Sequence, residues 1–464
     1  MLAKTVLEHV LGVAVGTGGD FAEVFAEDRH STSVTMVGGS VESCLVGREY
    51  GVGIRIFKGL NYVYAFTNDG GLENLTRVAR TAAEAMSGAQ PSPVLDLTRG
   101  ETPSWTPIRH YPGTVETRRK VDLVRHAYHA AKGYHDLISQ VRVNYMDEDQ
   151  KVLIANTEGL LVEDRRVRTR TGIMAVASRG DEKQTGSHGP GASMGWEFYD
   201  TIDIGEYARD ASRMAVTAVQ ADLCPGGRMP VIIANQFGGV IFHEACGHSL
   251  EATSVAKGTS EFAGKLGQQV ASELVTALDD GTIPNAWGTM NVDDEGIPMR
   301  HKVLINHGIL TGYLVDRFNG RRMQLPPTGS GRRQSYRFAP TSRMSNTFIA
   351  AGKSSPEAII AATEYGLYAK NMGGGSVNTS TGEFNFAVNE GYLVKDGKIH
   401  RPVRGATLIG RGSEVLQKID MVAGDLARGQ GMCGSMSGAV PTDMGQPTIR
   451  VSQLTVGGGK EAKA

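Results

Sequence analysis

Between Asp20 and Asn68 the side chains alternate with a period of two, through FAEVFAE, STSVTMVGG, SVESCLVGREYGVGIRIF and NYVYAFTN. A helix cannot hold such a pattern on one face, so these segments are strands, rich in the β-branched and aromatic residues that suit a pleated surface. Gly38-Gly39 between two of them marks a hairpin turn. The helical period appears on either side: residues 2–15 place Leu2, Val6, Leu7, Val10 and Leu11 on one stripe, and GLENLTRVARTAAEAM follows the last strand, with Asn68 or Asp69 available as its cap. The first 88 residues therefore form an α+β unit.

The stretch at 89–113, rich in Pro, Ser, Thr and Gly, is a linker. A second α+β unit occupies 114–222, with a helix at about 114–132, strands through ISQVRVNYMDED, QKVLIANTEG and LLVEDRRVRTRTGIMAVASRG, and a helix at about 204–220. CPGG at 224–227 breaks the chain before the apolar strand MPVIIAN. The third unit, 223–458, is β-rich and Gly-rich, with a helix expected near 355–370, and the tail 459–464 is expected to be mobile. The fold class is α+β throughout: antiparallel strands layered with helices in the first two units, then a β-rich unit carrying the helix described below.

With 48 Lys+Arg against 49 Asp+Glu, the net charge is −1 and gives no electrostatic reason to expect nucleic acid. The apolar start is interrupted by Glu8 and His9, and no run reaches the roughly 18 apolar residues of a membrane span. Four cysteines in 464 residues make no disulfide framework. The expectation is a cytoplasmic protein with no membrane partner, in a compartment where a thiolate stays available as a ligand.

The segment PVIIANQFGGVIFHEACGHSLEAT reads as a buried strand, a turn and a helix carrying His243, Glu244 and His248. Two imidazoles with a carboxylate beside the first suit a metal centre in which the carboxylate takes a proton from water. The spacing is HExxxH, however, and not the HExxH that puts both histidines on one helical face. Five residues advance an α-helix by roughly 500°, which leaves the two rings about 140° apart. A shared metal requires a π-bulge or a helix loosened at Gly247. The alternative is structural: His243 beneath the strand, His248 capping the helix end, and Glu244 in solvent. Among the cysteines, Cys44 on an alternating strand reads as core, Cys224 lies in a turn, and Cys246 points elsewhere on the helix. Cys433 lies in the Gly-rich loop GQGMCGSMSGAVP, which suits either a third ligand or a small residue in a tight turn.

Five segments together resemble the TldD/PmbA family, in particular its metal-binding TldD branch: HEACGHSLEAT, DDGTIPNAWGTMNVDDEGIP, PTGSGRRQSYRFAPTSRMSNTFI, GEFNFAVNEGYLVKDGKIHRPVRGATLIG and GMCGSMSGAVPTDMGQPTIRVSQLTVGG. The resemblance covers nearly all of the third unit and, more loosely, the N-terminal strands and helices. It implies a Zn2+ peptidase, with His243, His248 and Cys433 as metal ligands and Glu244 as catalytic base. It also implies small or unfolded peptides as substrate, and pairing with a PmbA/TldE-like subunit or a second copy. Oxyanion or substrate donors would come from the matched segments, where His307, Arg332, Arg333 and Tyr336 are candidates. An exposed sheet edge would hold an extended peptide by main-chain hydrogen bonds. Two other readings remain open at the level of sequence: a non-enzymatic protein that modulates a partner such as gyrase, and a zinc amidase acting on a small metabolite.

Overall fold

The computed structural model describes residues 1–86, 93–378 and 380–459. Residues 89–92 of the expected linker and 460–464 of the expected tail lie outside that range.

The alternating segments form one sheet. Helix α1 (Lys4–Val15) leads into β1 (Phe21–Val37), β2 (Ser40–Lys58) and β3 (Asn61–Thr67), followed by α2 (Leu72–Glu84), β4 (Thr98–Arg99), α3 (Thr117–Lys132), β5 (Ile138–Asn156), β6 (Leu160–Arg179), β7 (Glu182–His188), β8 (Gly191–Ala192) and α4 (Ile204–Gln220). The strand order is β3-β2-β1-β5-β6-β4, with β7 and β8 also paired to β6. The strands are long enough to serve two helix pairs. Ala22, Val24 and Ala26 of β1 pack with Leu7, Leu11, Leu75 and Ala79 of α1 and α2. Val34 and Met36, further along β1, pack with Val124, Ala127, Ala208 and Ala211 of α3 and α4. The stretches either side of residues 89–113 thus share one continuous sheet, β1 pairing with β5 from Glu23↔Asn156 to Val37↔Arg142.

Two local expectations change. Cys44 is exposed, not core: β3 pairs β2 only over Val52–Lys58, so the hairpin's distal half has β2 as a bare edge. The α2 N-cap is Gly71, without a side-chain cap. Asp69 acts one step earlier, accepting from the Gly71 N–H at 2.8 Å in an Asx turn.

The remaining chain runs β9 (Asp222–Leu223), β10 (Gly227–Ile233), α5 (Val240–Phe242), α6 (Ala252–Val255), β11 (Ala277–Asp280), β12 (His301–Asn306), β13 (Ile309–Leu310), α7 (Arg317–Met323), β14 (Gly331–Arg332), β15 (Thr341–Ser342) and β16 (Asn346–Ile349). It continues through α8 (Pro356–Ala361), β17 (Tyr365–Asn378), β18 (Glu383–Lys395), β19 (Lys398–Arg404), β20 (Thr407–Arg411), α9 (Gly412–Gln417), β21 (Ile419–Val422), β22 (Ala427–Ser435), β23 (Gly438–Gln446) and β24 (Ile449–Gly457). One sheet follows the order β17-β10-β24-β20-β18-β19-β9, and a second the order β13-β12-β11-β16-β23-β22. Val231, Ile233, Leu367 and Val451 from the first share a core with Ile305, Ile349, Val440 and Met444 from the second. Phe242, Ala245, Cys246 and Leu250 of the motif segment sit in that core, so the helix is enclosed by both sheets.

The helix expected at 355–370 ends at Ala361. Ser355 caps it, accepting from the Ala358 N–H at 3.1 Å. Beyond it, Val231↔Leu367 to Ile233↔Ala369 pair in parallel with β10, so the sheet captures residues whose apolar spacing also suits a helix.

Buried ion pairs tie the first sheet to the C-terminal unit. Arg55 on β2 bridges Glu23 on β1 at 2.8 Å and Glu295 at 2.5 Å, while Arg333 reaches Glu23 at 2.7 Å. All four side chains are at most 1% exposed. Arg55→Ala leaves two buried carboxylates short of a cation, and is expected to cost about 3–5 kcal/mol. A urea denaturation midpoint indistinguishable from wild type would show that the network does not hold the two parts together.

Candidate metal centre

β10 delivers the chain to the site. It ends at Ile233, and a short turn with Gln236 at φ 58° feeds the helical segment that begins at Phe237. Gly239 lets this segment lie on β23, since a Cβ there would come within 2.5 Å of the Gly445 backbone.

From His243 to Gly247 the helix is a π-turn, closed by the His248 N–H donating to the His243 carbonyl. This is the distortion the five-residue spacing requires. Gly247 packs against Met344, where a Cβ would stand 2.2 Å from the sulfur. With the extra residue absorbed, the two rings lie edge to face at 5.1 Å between centroids.

The third donor arrives from the edge strand β22. Cys433 Sγ lies 3.2 Å from His243 Nε2 and 3.2 Å from His248 Nε2. All three ligand atoms are within 4.8 Å of one another, and all three residues are buried. A tetrahedral zinc with Zn–N and Zn–S bonds of about 2.0–2.3 Å separates nitrogen from sulfur by roughly 3.5 Å, so small adjustments accommodate an ion. Charge agrees with geometry. Burial alone would raise the Cys433 thiol, but the adjoining His243 and His248 hold it down at about 3. Burial opposes the charge on His248, yet Glu251 and Cys433 raise its proton affinity well above the ordinary histidine value. The site thus favours a thiolate facing positive charge, which a dication also supplies. Cys246, between the two histidines in sequence but not among the three donors, is pushed the other way by burial and stays a thiol.

Glu244 is on the same turn, 26% exposed, with a carboxylate oxygen 3.6 Å from His248 Nε2. It stands beside the three donors, with access to solvent.

Two supporting residues escaped the sequence reading. Glu251 accepts from His248 Nδ1 at 3.1 Å, three residues along, and so fixes which ring nitrogen is left for a metal. Arg343, fully buried, donates to the Cys433 carbonyl and, at 2.8 Å, to that of Gly438, while its Nε lies 3.7 Å from Glu251. It brackets both ligand-bearing elements. The HSLE spacing is the only signal in the chain for Glu251, and Arg343 has none.

The four candidate oxyanion or substrate residues are not brought together around the sulfur. His307 is exposed in the β12–β13 turn, its ring against the Glu273 carbonyl at 3.3 Å. Arg333 belongs to the buried ion network. Tyr336 packs with Phe25, and its carbonyl accepts from Tyr64 at 2.5 Å. Arg332 donates to the carbonyls of Met344 and, at 2.7 Å, Pro441. Two carbonyls of the strand beside Cys433 already have donors: Trp287 Nε1 takes that of Gly431 at 2.8 Å, and Arg170 takes that of Gln430 at 3.1 Å.

Models of the PmbA/TldA metallopeptidase family match the chain in three consecutive parts: domain 1 over residues 22–86, the central domain over 110–219 and the C-terminal domain over 226–458. A protein named Metalloprotease TldD homolog from Haemophilus influenzae is 35% identical, covering 95% of this chain and 93% of its own. A metalloprotease from Methanothermobacter thermautotrophicus is 32% identical over 95% of this chain and 96% of its own. Among solved structures, a protein from Thermotoga maritima described as a candidate modulator of a DNA gyrase superposes with a TM-score of 0.79 at 22% identity, covering 94% of this chain and 96% of that one. TldE from Thermococcus kodakarensis superposes with a TM-score of 0.75 at 19% identity, covering 94% and 97%. The chain belongs to the PmbA/TldA metallopeptidase family, with the α+β fold of these neighbours. Among the described residues no helix is long and apolar enough to cross a membrane.

Glu251→Gln keeps the shape but weakens the hold on His248 Nδ1. Metal affinity is expected to fall about 10–100-fold with the fold unchanged. Competitive titration against a chromophoric chelator measures it, and an unchanged affinity would remove Glu251 from the site.

Proposed function

We propose that this protein is a zinc-dependent peptidase that hydrolyses small or unfolded peptides. The observation that carries the reading is the convergence of His243 Nε2, His248 Nε2 and Cys433 Sγ, with the half-buried Glu244 carboxylate beside them. Two imidazoles and a thiolate form a donor set that zinc favours, and three protein ligands match a catalytic centre with one open position. Zinc bound there would lower the pKa of a water and polarise the scissile carbonyl.

The chain's own residues do the rest. Glu244 accepts the proton of the attacking water and returns it to the departing amine, a task that needs a carboxylate with access to the cleft. Glu251 holds His248 in one orientation through Nδ1, so that Nε2 faces the centre. Arg343 holds the Cys433 carbonyl, and with it the position of the sulfur on an edge strand. The carbonyls of β22 at Gln430, Gly431 and Cys433 already accept from Arg170, Trp287 and Arg343, so an extended peptide added here would compete with those donors.

The relatives' names favour an enzyme, and the likeness to TldE favours a partner subunit of that type or a second copy. The gyrase description of a structural neighbour favours a non-enzymatic reading in which Glu244 has no task.

Glu244→Gln separates these readings. It is expected to retain about one zinc per chain while peptide hydrolysis falls by roughly 10²–10⁴-fold. Cys433→Ser and His243→Ala are expected to lose the metal together with the activity. Metal analysis beside a peptide-cleavage assay checks both, and hydrolysis unaffected by Glu244→Gln would overturn the mechanism.

A further inference from the structure

A cavity of about 140 Å³ adjoins the hairpin that carries Cys433. Met432 and Val440 are in its wall. Met432 directly precedes Cys433, and Val440 is the register partner of Cys433, so the cavity and the donor cluster share one hairpin.

Five arginines line the cavity (Arg29, Arg166, Arg168, Arg332 and Arg333), against two carboxylates, Glu148 and Asp294. Three of the cations are answered. Arg29 has Glu49 and, at 3.4 Å, Glu148. Arg166 has Asp294 and, at 3.2 Å, Asp164, and Arg333 has Glu23 at 2.7 Å. Two are not. Arg168, 6% exposed in its side chain, has among the described residues a single carboxylate, Glu148 at 3.6 Å, already shared with Arg29, and the Trp287 carbonyl at 3.4 Å. Arg332, 1% exposed, has no carboxylate within 4.0 Å among the described residues; its terminal nitrogens donate to the Met344 and Pro441 carbonyls, and its buried Nε has no hydrogen-bond partner. Burial, and then Arg168 beside it, pull Arg332 down to about 9, which still leaves it charged at neutral pH. Burial likewise lowers Arg168.

A buried cation without a counter-ion is costly unless something negative visits it. A planar guanidinium offers paired N–H donors that match a carboxylate. The volume suits a carboxylate and a few further atoms, a water's share of liquid being about 30 Å³. Met290, Met432 and Pro441 add an apolar wall for the carbon chain that carries the charge.

The geometry points to a carboxylate-binding subsite in which Arg168 and Arg332 receive a negatively charged group of the peptide substrate. This rests on the peptidase reading above and adds to it a preference for acidic peptides, the charge coming from a free C-terminus or from an Asp or Glu side chain.

The test uses full-length, zinc-loaded Glu244→Gln protein, so that binding is read without turnover. Labelled hexapeptides are compared by fluorescence anisotropy in two arms: free acid against C-terminal amide, and, with both ends blocked, a Glu-containing peptide against its Gln counterpart. In at least one arm the carboxylate form is expected to bind about tenfold more tightly, and Arg168→Gln, checked for zinc content and near-ultraviolet circular dichroism, to reduce that preference to about twofold or less. The arm that shows the preference identifies the source of the charge. Arg332→Lys, which keeps the cation but loses the fork, provides a second variant should Arg168→Gln not fold. Equal binding of both forms in both arms, no binding of any of the peptides, or a preference that survives both substitutions would overturn the proposal. Peptide cleavage by wild-type protein is followed in parallel. Carboxylate-dependent binding without cleavage would remove the peptidase reading and leave the subsite standing, whereas cleavage indifferent to the carboxylate would do the reverse.

Discussion

One backbone hydrogen bond, from the His248 N–H to the His243 carbonyl, decides whether this segment is a donor cluster or an ordinary buried helix. On an α-helix the two imidazoles would face about 140° apart, and one sulfur could not meet both. The wider π-turn absorbs a residue and brings both Nε2 atoms to 3.2 Å from Cys433. Such a turn loosens helical packing, and its surroundings restrain it. Gly247 allows Met344 to close against it, and Gly412 allows α9 to approach the Ala245 carbonyl, where a Cβ would come within 2.1 Å. The turn is held by close glycine contacts with elements far away in sequence.

Much of this was legible in the chain, and for identifiable reasons. Alternation in FAEVFAE and GVGIRIF has no helical solution, so the first hairpin followed from period alone. The HExxxH spacing also carried its own geometric demand, because only a widened turn reconciles five residues with one metal. The losses occurred where two patterns overlap or where a neighbour decides. Residues 365–370 have apolar spacing compatible with a helix, but they run in β17, whose Leu367–Ala369 pair in parallel with β10. Cys44 alternates like a core residue, but its strand lies beyond the end of β3 and is bare on that side. No local rule reveals a missing neighbour.

The same distinction separates the donors from the residues that support them. His243, Glu244 and His248 are close in sequence and announce themselves as a group. Arg343 is 90 residues from the Cys433 carbonyl it binds, and Arg55 is 240 residues from Glu295. Arg332, Arg333 and Tyr336 illustrate the ambiguity from the other side. They lie in one short segment, yet Arg333 and Tyr336 are used to fasten the first sheet, through Glu23 and Glu27, while Arg332 lines a cavity and pairs with no carboxylate within 4.0 Å among the described residues. Proximity in sequence to a recognisable motif says little about which way a side chain is employed.

The ion network and the donor cluster are mechanically connected through this segment. Arg333 is anchored to Glu23 of the first sheet, and its neighbour Arg332 donates to Met344 and Pro441. Met344 is the side chain packed on Gly247 of the π-turn, and Pro441 is paired with Met432, next to Cys433. Both ligand-bearing elements are therefore held by a loop whose other end is fixed to the N-terminal sheet. A site that keeps three donors within 4.8 Å, two on a π-turn and one on an edge strand, draws them from two separate elements, and this brace ties the two together. On this view the first sheet is more than an attached module: it sets the position of the segment that keeps sulfur and imidazoles in register.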